Sequence, residues 1–481
     1  MIGRTVGNYR IRASSSFVFS SSLLLVWMAV SAAVVVPVRA NAKSEKATSV
    51  VLSGGTLIDV LTGEELKDSV IVVLGDRIQR VGKAGEVSIP RNAQAIDAHG
   101  KWIIPGLMDM HTHIAYDENL PLELYLASGV TTIRDVGGSA LRLRLTREEI
   151  NSGKKVGPRL FFTGWALEAP LADTPKRAES AVNYLIDQGA DAIKVYNDVT
   201  EPVLEAIIRT AHRHNIPVIG HVPRSMTMTR AVQLGMDCLE HIRITGRELL
   251  PIEEADKIDF LPYVQRENLL WQQFDLESDK MKRLVSFLAE KKVFLDPTLV
   301  VEEIELQGAM EGEIEDPNNR FLPRELFDKW AERARHPDDM FKLPPELKEA
   351  SVGVVEKRKQ FVGMCSRAGV QIIAGTDGPL LGRVLPGFGL HQELELLVES
   401  GLTPLQAIQA ATINAARALR KDSELGSIET GKFADIVILR ANPLEDIRNT
   451  REIHRVIKNG QIYNPVVLLS NRHSLQSEGE E

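Results

Sequence analysis

The chain has 481 residues, of which 44% are hydrophobic and 25% are charged, and its net charge is −8. This composition is typical of a globular protein with a large buried core, and the mild acidity gives no reason to expect a nucleic-acid partner, because such proteins usually carry a basic face. The length would suit two or three domains, yet a single α/β barrel can take up most of such a chain.

The amino-terminal 42 residues have the order of a secretory signal peptide. Arg4, Arg10 and Arg12 precede the apolar run "LLLVWMAVSAAVVVPV", which is followed by small residues in "RANAKSEKA". We therefore expect cleavage within residues 40–42 and a periplasmic or secreted chain with no stable membrane association. The alternatives are an uncleaved membrane anchor, because the apolar run is nearly long enough to span a bilayer, and a buried helix.

The chain contains two cysteines, Cys238 and Cys365. They are too few for a disulfide framework or for a cysteine-based structural zinc site. Both lie in apolar surroundings, and we expect them to be unpaired core residues.

Short β-rich segments stand at both ends of the remaining chain. Residues 43–104 alternate β-branched runs with turns, as in "DSVIVVLGDRIQRVG", and residues 425–465 return to the same pattern in "ADIVILR". This arrangement predicts a small β-sandwich domain built from both chain ends, with a polar tail at residues 466–481.

Residues 105–424 repeat a different unit, a short apolar strand followed by an amphipathic helical segment. The candidate strands are "GLMDMHTHI", "VTTIRDV", "RLFFTG", "DAIKVY", "IPVIGHV", "MDCLEHI", "VFLDPTLV" and "VQIIAGTDG". Eight consecutive β/α units predict a (β/α)8 TIM barrel, an α/β fold. A charged insertion at about 246–349 interrupts the repeat, and helical excursions or a lid over the barrel mouth are expected there.

Polar side chains suited to metal binding fall at the carboxyl ends of these strands, where barrel enzymes place their active sites. These residues are His111, His113, Lys194, His221, His241 and Asp377. A single histidine on a strand is more often structural than a ligand. Four histidines and an aspartate on one barrel face predict a metal site, because mixed nitrogen and oxygen ligation suits zinc and similar divalent ions.

From about residue 49 to 464 the chain resembles the amidohydrolase superfamily. The matching text is "IIPGLMDMHTHI", "AIKVY", "GHVP", "CLEHI", "GTDGP" and "LTPLQAIQAATINAARAL" with "LGSIETGKFADIVIL". The resemblance implies the barrel with a β-sandwich and two divalent metal ions at the barrel mouth, with zinc expected first and manganese, cobalt or iron as alternatives. It assigns His111, His113 and Asp377 to the more buried metal, and it assigns His221 and His241 to the more exposed one.

Lys194 stands in the middle of a short apolar strand, where an unpaired ammonium is costly. In superfamily members with a lysine at the end of strand four, that lysine is carboxylated and bridges the two metals, and the resemblance implies the same for Lys194. Burial and nearby cations lower a lysine pKa, so the neutral amine can take up CO2. The alternatives are a lysine paired with a carboxylate and one that extends to solvent.

The resemblance implies hydrolysis by a metal-bridging hydroxide, with Asp377 passing the proton to the leaving amine. Deaminases of the superfamily place a glutamate three residues after the strand-five histidine, where this chain has Arg224. We therefore expect cleavage of an amide or peptide bond in a small substrate, such as a dipeptide or an N-acyl amino acid.

Several alternatives to this activity remain. The text "IKVY", "GHVP" and "EHI" resembles dipeptidases that cleave before proline or a basic residue, as well as chains named imidazolonepropionase, although the bridging lysine argues against that mononuclear class. Lactone or phosphotriester hydrolysis is the main rival, and deamination or cyclic-amide hydrolysis ranks below it. A non-catalytic binding protein is disfavoured because the ligand set is complete. The sequence leaves a homo-oligomer open.

The residues that contact the substrate are the least defined. Tyr196 shares the strand face of Lys194, so it either donates a hydrogen bond to the tetrahedral intermediate or packs at the rim. Arg134, Arg224 and Arg243 are candidates for a bidentate contact with a substrate carboxylate.

Arg224 ranks first among these arginines, because it closely follows the strand-five histidine. His391, beyond strand eight, is either a further substrate contact or a residue at a helix start.

Overall fold

The computed structural model describes residues 49–308, 310–379, 382 and 384–470. The expected signal peptide and the last part of the polar tail therefore lie outside the described residues. Within them, no helix combines the length and the apolar character needed to cross a bilayer. The described residues belong to one compact unit, so the β-rich ends pack with the α/β middle.

The strands of the described residues, numbered in chain order, are β1 (Ser49–Ile58), β2 (Glu65–Leu74), β3 (Arg77–Lys83), β4 (Gln94–Asp97), β5 (Trp102–Pro105), β6 (Leu107–Thr112), β7 (Val130–Asp135), β8 (Arg159–Phe162), β9 (Ile193–Val195), β10 (Val218–Gly220), β11 (Cys238–Glu240), β12 (Phe294–Asp296), β13 (Gln371–Ile372), β14 (Ile436–Leu439), β15 (Ile453–Lys458) and β16 (Gln461–Tyr463).

The α-helices of the same residues are α1 (Glu123–Ala127), α2 (Ala140–Asn151), α3 (Pro175–Asp187), α4 (Glu201–Arg213), α5 (Met228–Leu234), α6 (Gly246–Leu249), α7 (Ile252–Ile258), α8 (Tyr263–Gln273), α9 (Asp279–Lys291), α10 (Leu299–Leu306), α11 (Arg324–Arg335), α12 (Lys348–Ala368), α13 (Phe388–Glu399), α14 (Pro404–Ala410) and α15 (Ile413–Ala418). Short 3-10 helices cover Ile114–Tyr116, Met310–Glu315, Pro317–Phe321, Asp339–Phe341, Pro345–Leu347 and Ile447–Arg451.

Strands from both chain ends share one eight-stranded sheet, in the order β16-β15-β14-β5-β1-β2-β3 with β4 beside β1. The two ends meet where β5 and β14 pair antiparallel, with Ile103 opposite Ile438. An apolar face that includes Leu52, Ile71 and Ile436 is buried under this sheet. The joint β domain is thus present, while hydrogen bonding defines one sheet and the two-layer sandwich stays a prediction.

The α/β middle contains two parallel sheets. One is β6-β7-β8, and the other runs β9 to β13 in chain order. Each of the eight expected segments contributes one of these strands. The arrangement is TIM-barrel-like, although the strand ladders do not join into one continuous closed sheet in the described residues.

Isolated parallel bridges link the two sheets at both seams. Leu167 pairs with Val195 between the β8 and β9 sides, and Thr112 pairs with Gly378 between the β6 and β13 sides. Backbone hydrogen bonds support them, including Leu167 N–H to the Lys194 carbonyl at 2.8 Å. The carboxyl ends of all eight strands therefore face one side of the domain.

Helices α6–α9 follow β11 and helices α10–α12 follow β12, so the expected helical excursions are present. Their apolar sides join the main core through Trp271, Leu284 and Phe361. The 3-10 helix Asp339–Phe341 reaches the barrel mouth, where Met340 and Phe341 line a cavity. The insertion thus forms part of the wall of the candidate site.

Strand alternation explains how polar groups reach that site from an apolar core. Side chains two residues apart on a strand point to the same face. Ala192, just before β9, and Ile219, on β10, belong to an apolar cluster inside the barrel. Lys194 and His221 follow two residues later, on β9 and just after β10. The barrel interior is therefore apolar below and polar at its carboxyl end.

Candidate metal centre and active site

The structure brings together all six residues predicted to bind metal. His111, His113, Lys194, His221, His241 and Asp377 are all buried. Asp377 Oδ1 lies 2.7 Å from His113 Nε2 and 3.2 Å from His111 Nε2. The ring centroid of His241 lies 4.8 Å from that of His111 and 5.0 Å from that of His221. The strand ends thus concentrate imidazole nitrogens and one carboxylate in a single buried volume.

Three of the histidines are held in the same way, by a hydrogen bond at Nδ1. His111 Nδ1 lies 2.7 Å from Glu240 Oε2 and His221 Nδ1 lies 2.9 Å from Asn197 Oδ1. His241 Nδ1 lies 2.7 Å from the hydroxyl oxygen of Thr298. An Nδ1–H that donates to such an acceptor leaves the lone pair on Nε2, which is the usual arrangement around metal-bound histidines.

Burial favours the neutral form of three imidazoles in the centre, those of His113, His221 and His241. Desolvation lowers the pKa of His113 to about 4 and the pKa values of His221 and His241 well below their ordinary value. The neighbouring histidines hold the pKa of Asp377 well below its usual range, outweighing the effect of its own burial. At neutral pH the site therefore offers imidazole lone pairs and a carboxylate, the donor set that divalent ions accept.

Lys194 is buried in the same volume. Its Nζ lies 3.0 Å from His111 Nε2, and none of the carboxylates that the structure describes lies within 4 Å of it. Burial lowers its pKa, and the positive charges of Arg243 and Arg134 add to the shift. The two alternatives from the sequence, a close carboxylate partner and extension to solvent, are not what the structure shows.

The site residues lie on unusual backbone. His241, Thr298 and Asp377 have φ angles of 62°, 45° and 55°, a left-handed region that costs non-glycine residues about 1–2 kcal/mol. Gly220, just before His221, has φ 132°, and a Cβ there would lie 2.1 Å from the Val195 carbonyl oxygen. Such strain persists where the surrounding structure requires a particular side-chain position, and it clusters at functional sites.

Beneath the metal-type residues lies a charged layer that the sequence did not indicate. Arg134 donates to Glu240 Oε1 at 2.7 Å and to the Met110 carbonyl at 2.6 Å, and it lies 3.6 Å from Asp296 Oδ2. Arg134 is 1% exposed and does not line the cavity. Its role is therefore to neutralise the carboxylate that holds His111, and it does not face a substrate.

A cavity of about 390 Å³ opens above this centre. His113, Lys194, His221, His241 and Asp377 form part of its lining.

Tyr196 also lines the cavity. Its ring centroid lies 4.3 Å from that of His221. The geometry allows the phenol to reach a bound substrate, which keeps both predicted roles of Tyr196 open.

Two further predicted substrate contacts lie elsewhere. Arg224 is 3.8 Å from Asp198 near the surface and is not part of the cavity lining. His391 is buried with Nδ1 2.9 Å from Thr450 Oγ1 and Nε2 3.1 Å from the Ser128 carbonyl. The structure gives His391 a role in packing α13 against its neighbours, because both ring nitrogens already have protein partners.

Sequence reasoning overlooked the groups that hold the histidines and those that form the rim. Asn197 directly follows Tyr196, and Thr298 lies two residues after β12, a barrel strand to which no candidate had been assigned. Position at a strand end was the available signal for both. The rim residues carry no such signal, because Trp165 comes from the loop after β8 and Met340 comes from the 3-10 helix Asp339–Phe341 of the insertion.

Comparison with known proteins places these observations in a family. The model of the amidohydrolase family matches residues 102–463. Ochratoxinase from Aspergillus niger is 24% identical, with 88% of each chain covered. Imidazolonepropionase from Alkaliphilus oremlandii is 24% identical over 82% of this chain and 90% of the relative.

The crystal structure of a Xaa-Pro dipeptidase with bound methionine has a TM-score of 0.63 and 23% identity, covering 87% of this chain and 100% of that one. This likeness shows a shared fold. The family match spans most of the chain and includes every residue of the buried centre, and the chain therefore belongs to the amidohydrolase family of metal-dependent hydrolases.

Proposed function

We propose that this protein hydrolyses an amide or peptide bond in a small substrate, at a centre for two divalent metal ions bridged by a carboxylated Lys194. The observation that carries the proposal is the common arrangement of three buried histidines, each held by a hydrogen bond at Nδ1, beside Asp377 and a lysine whose close partner is the Nε2 of His111. The Xaa-Pro dipeptidase among the structural relatives supports peptide-like substrates.

The donor set fits the metals. Buried His113 Nδ1 has no hydrogen-bond partner in the described structure, and neutral imidazoles with carboxylate oxygens suit zinc, manganese, cobalt or iron. His111, His113 and Asp377 would hold one ion, and His221 and His241 would hold the other. Bound divalent ions supply a water of lowered pKa and polarisation of the substrate carbonyl.

A carbamate resolves the charge of Lys194. The neutral amine bonds to the carbon of CO2 and releases one proton, giving an anion with two oxygens. The lowered pKa of Lys194 makes the neutral amine accessible. The Lys194 side chain, whose positive charge is costly to bury, would thus become an anion that attracts the two metal cations.

The protein groups then have distinct tasks in hydrolysis. The water oxygen bonds to the acyl carbon, the C–N bond breaks, and the water proton ends on the amine nitrogen. Asp377 is placed to accept that proton and pass it on, because its carboxylate lines the cavity and is kept ionised. Tyr196, at the cavity wall beside His221, would donate its hydroxyl proton to the oxygen of the tetrahedral intermediate.

The proposal is tested first by metal content. Wild-type protein should carry two divalent ions per chain, and Lys194→Ala should lose at least one, whereas the exposed Lys257→Ala on α7 should bind metal like wild type. Protein equilibrated with ¹³CO2 should show a carbamate signal in ¹³C NMR spectra that Lys194→Ala lacks. One ion per chain in wild type, unchanged in Lys194→Ala, would contradict the bridged pair.

The bond class is tested on metal-loaded protein with dipeptides, N-acyl amino acids, lactones and a phosphotriester, read by release of the free amino acid or alcohol. We expect amide cleavage in the first two groups. Activity confined to lactones or the phosphotriester would contradict the proposal. Loss of amide cleavage in Asp377→Asn, with both folding and metal content retained, would support its role in proton transfer.

We further propose that the protein is exported. The support is the order of basic, apolar and small residues in positions 1–42. Sequencing the amino terminus of protein recovered outside the cytoplasm should give a start near Asn41 or Lys43. Recovery of intact Met1 in a membrane fraction would instead identify an anchor.

A further inference from the structure

Arg243 is a cation on the wall of the cavity. It follows His241 by two residues, beyond the end of β11, and both residues line the cavity. Its guanidinium carbon lies 4.3 Å from the ring centroid of Tyr263, and its Nε is buried without a hydrogen-bond partner. Among the residues that the structure describes, no carboxylate lies within 4 Å of this guanidinium. A buried donor group without a partner points to a ligand that supplies one.

The charged residues behind Arg243 explain why it lacks a close carboxylate partner. Arg358 binds Glu267 at 2.8 Å and Glu302 at 2.6 Å, and Arg266 binds Glu267 at 2.8 Å. This group thus contains three guanidinium groups and two carboxylates, and both carboxylates already pair with the other two arginines. The two glutamates attract Arg243 at longer range and help to raise its pKa, but the excess positive charge faces the cavity.

The cavity-lining carboxylate of Glu168 does not pair with Arg243. Its electrostatic neighbours are the backbone of Asp198 and the guanidinium of Arg224. The sequence had ranked Arg224 above Arg243 as a carboxylate-binding residue. The structure reverses that order, because Arg224 pairs with Asp198 outside the cavity.

The rim of the same cavity is apolar and exposed. Trp165, Leu171 and Met340 are 47%, 50% and 41% exposed and surround the opening. Large apolar side chains grouped at one opening favour a ligand with an apolar or aromatic group. The cavity thus has an apolar entrance, a metal-type floor and one cationic wall.

We propose that Arg243 binds the free carboxylate of the substrate, and that the enzyme selects amides whose amine half is an α-amino acid and whose other half is apolar. This inference rests on the proposed amide hydrolysis and adds the substrate class. In an N-acyl amino acid, only the amide nitrogen and one α-carbon separate the scissile carbonyl carbon from the carboxylate. One substrate can therefore contact the centre beside His241 and also Arg243, because both residues line the same cavity.

The test compares matched substrates. N-benzoyl-L-leucine, N-benzoyl-L-phenylalanine and their C-terminal carboxamides are assayed with wild type, Arg243→Gln, Arg243→Lys and the control Arg283→Gln, which changes an exposed arginine on α9. We expect wild type and Arg283→Gln to favour the acids by about 10- to 100-fold in kcat/KM. Arg243→Gln should reduce this preference to near unity by losing activity on the acids alone, and Arg243→Lys should keep part of it.

A binding measurement separates this inference from the proposed function. Calorimetric titration of metal-loaded protein with benzoyl-D-phenylalanine, used as a carboxylate probe, should show an affinity about 10- to 100-fold weaker in Arg243→Gln than in wild type. Metal content equal to wild type shows that the variant's centre is intact. Equal hydrolysis of acids and carboxamides by wild type would overturn the inference while amide hydrolysis stands.

The reverse outcome is also defined. Arg243-dependent binding of the probe without any amide cleavage would overturn the proposed function and leave the carboxylate site in place. Probe affinity that is unchanged in Arg243→Gln would refute the assignment of Arg243. The metal content therefore tests whether the centre is intact, the substrate comparison tests amide hydrolysis and its preference for acids, and the probe titration tests carboxylate binding by Arg243.

Discussion

Substitution of Thr298 tests most directly whether a hydrogen bond at Nδ1 orients a histidine for metal binding. Thr298 is fully buried, and its Oγ1 lies 2.7 Å from His241 Nδ1. Thr298→Val keeps the shape and the β-branching, so the strained φ of 45° remains equally unfavourable. The remaining acceptor near Nδ1 is Glu302 Oε1 at 3.6 Å, which is beyond hydrogen-bond distance.

Loss of a group that orients a metal-bound histidine usually reduces metal affinity about 10- to 100-fold, which corresponds to about 1.4–2.8 kcal/mol. A buried donor left without an acceptor also costs about 1–3 kcal/mol of folding free energy. We therefore expect Thr298→Val to bind Zn²⁺ at least about tenfold more weakly in competition with a chromophoric chelator. The metal-free variant should also unfold at lower urea concentration than the metal-free wild type.

Thr131→Val is the matched control. Thr131 is also buried, but its hydroxyl has no hydrogen-bond partner in the described structure. The same change of atoms should leave Zn²⁺ affinity unaltered there. An affinity of Thr298→Val within twofold of wild type, or an equal loss in both variants, would refute the claim that this hydrogen bond prepares His241.

Three further predictions concern the scaffold. Arg358→Met leaves buried Glu302 without its ion pair and Glu267 with Arg266 alone, and it should lower the free energy of unfolding by about 3–5 kcal/mol in urea denaturation; a loss under 1 kcal/mol would contradict this. Burial lowers the pKa of His391 from 6.5 to about 3, so between these pH values the unfolded chain binds a proton that the folded chain does not, and stability falls as pH falls. Urea denaturation from pH 7 to pH 4 should show a shallower fall for His391→Asn, by up to about 1.4 kcal/mol per pH unit, and parallel curves would be evidence against a neutral buried ring. Asp117 accepts hydrogen bonds from Lys329 and from the indole of Trp330, both on α11. Asp117→Ala should therefore speed proteolytic cleavage near Arg324–Arg335. An unchanged cleavage rate would show that this contact does not hold the insertion.

The structural features that could be predicted from the sequence were those that follow from its periodic strand pattern. A potential metal ligand at the carboxyl end of a barrel strand is placed near the other ligands, because the carboxyl ends of successive parallel strands meet at one face. His111, His221 and Asp377 therefore followed from position alone. The joining of both chain ends in one β domain was equally visible, since each end repeats the same strand and turn pattern.

Contacts between distant segments could not be predicted in this way. Arg134 lies at a strand end like the metal-type residues, but its side chain points below them to Glu240, more than a hundred residues away. Arg224 ranked first by closeness in sequence to His221, yet closeness along the chain does not fix the direction of a side chain that leaves a loop. The choice between a substrate contact and a structural role for His391 could not be made from the sequence for the same reason.

The sequence by itself determined the family, the α/β repeat and the residue types of the centre, because strand spacing and ligand chemistry act locally. Only the tertiary structure decided which polar groups hold three of the histidines, which segments form the rim, and that no carboxylate among the described residues lies close to Arg243. Those outcomes depend on pairing and burial among segments that the chain brings together from far apart. The lysine of "AIKVY" shows both sides: the pattern placed Lys194 on an inward face, and the fold left it beside His111 without a carboxylate.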